Sequence, residues 1–120
     1  VELDEILSNL VANVDGAIGA ALGGMDGLLI EQFSNDAKLN LSNMIAEHSN
    51  LLRSVKIAYA VSLGAGEVSE IQITSDKWIG FTKRVTDDFF VTLVLEPSGN
   101  IGKARLLLEH AIRHLKGMLS

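Results

Sequence analysis

Two short, almost unbroken apolar runs constrain this chain more than anything else in it. Ala17-Ile18-Gly19-Ala20-Ala21-Leu22 is apolar throughout and built of small side chains. Phe89-Phe90-Val91-Thr92-Leu93-Val94-Leu95 is nearly as apolar and much bulkier. Neither approaches the roughly 18 residues that a membrane span needs. Runs of this length and chemistry read as strands buried on both faces, so their sheet needs a cover on each side. Small side chains in the first run let helices approach it closely.

Three stretches can supply the cover. In residues 2–14, Leu3, Ile6, Leu7, Leu10, Val11 and Val14 recur at three- and four-residue steps, and Asp15-Gly16 stops the helix. Residues 37–62 read as one long helix, capped by Asn35 or Asp36. Ala37, Leu41, Met44, Ile45, His48, Leu51, Leu52, Val55, Ala58 and Tyr59 share one stripe of it. Ile57 and Val61 fall off that stripe, which a helix packed only on its own sheet does not need. In residues 101–118, Ile101, Ala104, Leu108, Ala111, Leu115 and Met118 give a third apolar stripe.

The remaining segments complete a sheet. Gly23-Gly24-Met25-Asp26-Gly27 turns the first run into a second strand over 28–33. Residues 67–74 and 77–84 precede the apolar run 89–95, with turns at Ser75-Asp76 and Thr86-Asp87-Asp88. The order is α-ββ-α-βββ-α. The expected fold is one α/β (α+β) domain over 1–120: a five-stranded antiparallel sheet with helices on both faces.

Several function classes lose support. Formal net charge is −5 and the ten Lys/Arg are dispersed, so no basic face for nucleic acid is visible. There are no cysteines, which removes disulfides, thiolate metal sites and cysteine nucleophiles and fits a reducing compartment. No secretory-leader pattern and no apolar span point to membrane insertion, so a cytoplasmic location is expected. The glycines of 16–27 match neither a phosphate loop nor GxGxxG, and they lead into a strand. His110 and His114 share a helix face but lack the HExxH pattern and a third ligand. Asp87-Asp88 read as solvated turn residues, and His48 as a satisfied core or interface histidine. No GxSxG elbow occurs. No polar residue stands out inside the expected core to orient a ligand. The reading therefore assigns no catalytic, cofactor-binding or metal-ligating residue and no cofactor.

Asp15-Gly16-Ala17-Ile18-Gly19-Ala20-Ala21-Leu22 followed by Asp26-Gly27-Leu28-Leu29-Ile30 resembles the opening hairpin of the roadblock/dynein light chain family. The long helix running into Gly66-Glu67-Val68-Ser69-Glu70-Ile71-Gln72-Ile73 is similar to that family's middle. Asn100-Ile101-Gly102-Lys103-Ala104-Arg105 is similar to the start of its final helix. The resemblance spans nearly the whole chain in order and implies the roadblock/profilin-like fold. It also implies a dimer whose third strands pair edge to edge while the long helices lie side by side. Such dimers serve as platforms for Ras-like small GTPases or motor complexes, and bacterial stand-alone members of the MglB type regulate gliding-motility GTPases.

The expected homodimer seam is then Val68, Ser69, Glu70, Ile71, Gln72 and Ile73 on the strand, with Met44, His48, Leu51, Val55 and Ala58 on the helix. An apolar edge strand left unpaired is a liability, which agrees with the implied pairing. Of Ile71 and Ile73, one is expected to face the core and the other a partner. Arg53, Ile57 and Val61 are the candidates for contact with a Ras-like GTPase, the alternative being that Ile57 and Val61 pack only on the partner's helix. A motor-associated or sensory assembly module without a GTPase partner is the alternative.

Overall fold

The computed structural model describes residues 2–120. Its elements are α1 (Leu3–Asn13), β1 (Ala17–Gly24), β2 (Leu29–Ser34), α2 (Leu41–Ile57) with a π-helical turn (Ala58–Ser62), β3 (Glu70–Thr74), β4 (Ile79–Arg84), β5 (Phe89–Leu95) and α3 (Ile101–Leu119). The five strands form one antiparallel sheet in the order β2-β1-β5-β4-β3. The two apolar runs are neighbours at its centre, with Ala20 opposite Leu93 and Leu22 opposite Val91.

The period of two along each strand sorts the core into two layers. Leu22, Phe81, Val91, Leu93 and Leu95 face α1 and α3, where they meet Leu7, Leu10, Leu108 and Leu115. Ala21, Phe90 and Val94 face α2 and meet Leu41, Met44, Ile45 and Leu52. Gly23 is small because α2 lies so close to it. A Cβ there would stand 2.5 Å from Ile45 Cγ2 and 3.2 Å from Phe90 Cζ. Gly16 adopts a φ of 87°, and a Cβ on it would strike the Gly99 backbone. That close approach pins the turn after α1 to the turn before α3. Glu96 N–H donates to Gly16 O (2.7 Å) and Asn100 N–H to Asp15 O (3.0 Å).

The long helix is shorter than its periodicity suggests. It starts at Leu41, not at residue 37, because Asp36 closes a separate turn in which its carboxylate accepts from Lys38 N–H at 2.9 Å. Asn40, rather than Asn35 or Asp36, is the N-cap, its side-chain oxygen accepting from Asn43 N–H at 3.0 Å. Ala37 is therefore an exposed turn residue. At the far end the last turn widens to π geometry, with Leu63 N–H donating to Ala58 O at 2.9 Å. Residues 67–69 precede β3 rather than belong to it.

Candidate protein interface

β3 is an edge strand. It pairs with β4 on one side, Ile71 opposite Thr82 and Ile73 opposite Gly80, and no described strand lies on its other side. Its two faces differ. Glu70 and Gln72 point toward α3 and are clamped there. Glu70 receives Lys83 Nζ at 3.2 Å and Arg105 Nη1 at 3.0 Å, while Gln72 Oε1 accepts from Arg105 Nη2 at 2.9 Å. The Arg105 guanidinium lies 5.4 Å from the Phe81 ring centroid. Lys83 also pairs with Glu109. Burial alone would lower the Lys83 pKa, but its hydrogen bonds to Glu109 and Glu70 outweigh that and hold it above the usual value. The clamp keeps the outer strand in place and its free edge presented.

Ile71 and Ile73 lie two residues apart and so share the α2 face of the strand. Ile71 is half-buried and packs, with Val68 and Trp78, against the α2-side core. Ile73, nearer the end of the strand, remains 39% exposed.

The second half of α2 is largely exposed. Ile57 is 61% exposed, Val61 75% and Leu63 66%. Leu51 and Tyr59 are exposed as well, and Val55 and Ala58 are half-buried. Arg53 reaches back to the first hairpin, donating to Met25 O and to Asn50 Oδ1. Ser69 is exposed beside the strand. Arg53, Ile57 and Val61 all lie on the second half of α2 or its π-helical turn, with Arg53 turned toward the first hairpin, while Val68 to Ile73 lie on or just before the edge strand.

Met44 and His48 depart from that assignment. Both are buried within the protomer, because they sit on the half of α2 that covers the sheet. His48 Nδ1 lies 2.6 Å from Thr82 Oγ1, which lies 2.7 Å from Thr92 Oγ1. His48 is thus a core histidine whose polar contacts are met within the protomer. Burial pushes the His48 pKa below its ordinary value, opposed by the nearby Glu47 carboxylate. A threonine hydroxyl both donates and accepts, so either neutral tautomer of the ring can be served.

Leu63 escaped the sequence reading because the helical stripe was taken to end before it. Thr82 and Thr92 escaped it because only strand register brings them together. His110 and His114 are exposed on α3 and line a groove of about 490 Å³ against α1. No group of three or more His, Asp or Glu side chains stands close enough to hold a metal ion among the described residues. No described helix is long and apolar enough to cross a membrane.

No family profile and no curated protein sequence matches the chain. Solved structures do. The chain superposes on a roadblock/LC7 domain from Streptomyces avermitilis with a TM-score of 0.89 at 18% identity, covering 99% of this chain and 98% of that one. It is 32% identical to MglC from Myxococcus xanthus, over 96% of this chain and 97% of that one, with a TM-score of 0.68. Myxococcus xanthus MglB matches with a TM-score of 0.83 at 15% identity, over 98% and 97% of the two chains. The sheet order, the three helices and the apolar edge strand define a roadblock-type fold. The chain belongs to the roadblock/LC7 domain family.

Proposed function

We propose that the protein is a homodimeric, non-enzymatic platform that regulates or scaffolds a Ras-like small GTPase. The observations that carry this reading are the free edge of β3 and the exposed apolar side chains at the end of α2. An unpaired strand edge is a template for another strand, and Ile73 beside it is exposed. Pairing two β3 edges about a two-fold axis gives an isologous contact, in which each copy contributes the same patch. Val68, Ser69, Glu70, Ile71, Gln72 and Ile73 then form the strand part of the seam, with Leu51, Val55 and Ala58 beside it. Arg53, Ile57 and Val61 are left for the GTPase, where the Arg53 guanidinium suits a bidentate carboxylate contact. Support for the GTPase comes from the family resemblance and from the likeness to MglB and MglC.

The test is binding of a purified Ras-like GTPase, in its GDP and GTP forms, to the protein and to the double variant R53E/I57A. The reading expects a dimer in both cases and loss of GTPase binding in the variant. No binding by the unaltered protein, or full binding by the variant, contradicts it. Titration calorimetry with GTP or ATP should be flat. Binding tighter than about 10 μM would show that the protein handles nucleotide itself.

A further inference from the structure

Beyond the dimer and its GTPase, the charge distribution is uneven in a way the sequence hides. The chain carries −5 overall, yet four of its ten Lys/Arg line a single cleft. Lys83 and Arg84 come from the end of β4, and Arg113 and Lys116 from the last turns of α3. Ser69 and Thr86 place hydroxyls at the same cleft, and its carboxylates are Asp87 and Glu109. Its volume is about 540 Å³.

The four cations are not equivalent. Lys83 is engaged by Glu70 and Glu109, and Arg84 by Glu67 at 3.0 Å. Arg113 and Lys116 have no carboxylate within 4.0 Å among the described residues. Glu109 stands close enough to feel both charges, but it forms its ion pair with Lys83 and leaves Arg113 and Lys116 without one. Arg84 adds a second observation. Its Nη1 is buried and makes no hydrogen bond, and Asp87 Oδ1 stands 3.7 Å from it, beyond hydrogen-bond reach. A buried guanidinium donor without an acceptor is costly, and an oxygen-rich guest can supply the acceptor when the exposed Asp87 side chain swings aside.

We propose that this cleft binds a phosphate group, held by Arg113 and Lys116 with Arg84, Ser69 and Thr86 at its wall. Two uncommitted cations match a dianion. Guanidinium groups take phosphate oxygens in pairs, and the hydroxyls donate to those oxygens that remain. Free phosphate and a phosphorylated side chain of a partner present the same chemistry to the cleft. The competing explanation is that Arg113 and Lys116 only offset the negative end of the α3 dipole, in which case no anion would saturate the site.

The experiment uses the full ¹⁵N-labelled chain at constant ionic strength. It is titrated with inorganic phosphate, with a phosphoserine peptide of otherwise neutral residues, and with the unphosphorylated parent peptide. The proposal expects saturable amide shifts at Ser69, Thr86 and Arg113. It expects binding to weaken by about tenfold or more in R113A/K116A, the scale of losing charge-assisted contacts. Both side chains are exposed, so the variant should keep its melting curve. Saturation by inorganic phosphate identifies a free-phosphate site, and saturation by the phosphopeptide alone identifies a phosphorylated partner. Overturning results are absence of saturation by either ligand, equal binding by the parent peptide, or an unchanged curve in the variant.

Discussion

The two halves of α2 are made of similar residues and do different things. From Leu41 to Leu52 the helix buries Leu41, Met44, Ile45, His48, Ser49 and Leu52 on its own sheet. From Arg53 to Ser62 no residue is fully buried, and only Val55, Lys56 and Ala58 are half-buried. Apolar side chains nevertheless continue, with Ile57 and Val61 in the open. The first half uses its apolar face inside the protomer. The second has the same chemistry and leaves it exposed, which is what the proposed partner surface rests on. Helical periodicity records that apolar faces exist, whereas where the sheet ends decides which of them a single chain can satisfy.

The sharpest way to break this contrast is to truncate one isoleucine in each half. Ile45→Ala should cost about 2–5 kcal/mol in denaturant unfolding, since Ile45 is fully buried between β1 and β5. Ile57→Ala should leave protomer stability within about 0.5 kcal/mol, the usual range for an exposed site. Equal losses would mean that the second half is packed within the protomer after all.

Close packing of the first half can be probed from the sheet side. Gly23→Ala places a methyl 2.5 Å from Ile45 Cγ2, so the Ile45 side chain or the helix that carries it has to shift. Overpacking of this kind costs about 1–3 kcal/mol. An alanine that leaves the unfolding midpoint unchanged would show that α2 rests more loosely than its contacts imply.

The smallest effect is the pH response of His48. Its folded pKa lies below the ordinary value, so the unfolded chain takes up its proton at higher pH than the folded one. Stability from the neutral ring is then fully present above about 6.5 and falls as pH drops from there toward the folded pKa. The lowered carboxyls of Glu67 and Glu109 act in the same sense but only below the carboxylate range, so the window between about 5 and 6.5 isolates the histidine. Melting temperatures should decline across that window, and His48→Gln should flatten the decline. A slope that persists in the variant would place the titrating group elsewhere.

Much of the fold was legible because apolar runs and periods state burial directly. Ala17–Leu22 and Phe89–Leu95 announced the sheet centre, and the α-ββ-α-βββ-α order followed from the turns between segments. The boundaries of α2 were not legible. Asp36 and Asn40 are both good caps, and only the Asp36 turn shows which of them opens the helix. Of the candidate site, the strand edge and Arg53, Ile57 and Val61 could be read as surface residues from their place off the packing stripe. Met44 and His48 could not be separated from Leu51 by periodicity, because all share one stripe and only the fold shows which side of it meets the sheet. The Thr82–Thr92 row and the cationic cleft depend on register and on α3 crossing the end of β4. Neither has a local signature.

The central claim is that the apolar surface at β3 and the end of α2 is covered by a second copy of the chain. Sedimentation equilibrium at micromolar concentration tests it most directly, on the unaltered protein and on Ile73→Lys. Ile73 is exposed enough for the variant protomer to fold, while a buried ammonium in the seam would cost several kcal/mol. The account predicts about twice the 12.9 kDa chain mass for the unaltered protein and the single-chain mass for the folded variant. A monomeric unaltered protein, or a variant that remains a full dimer, would contradict it.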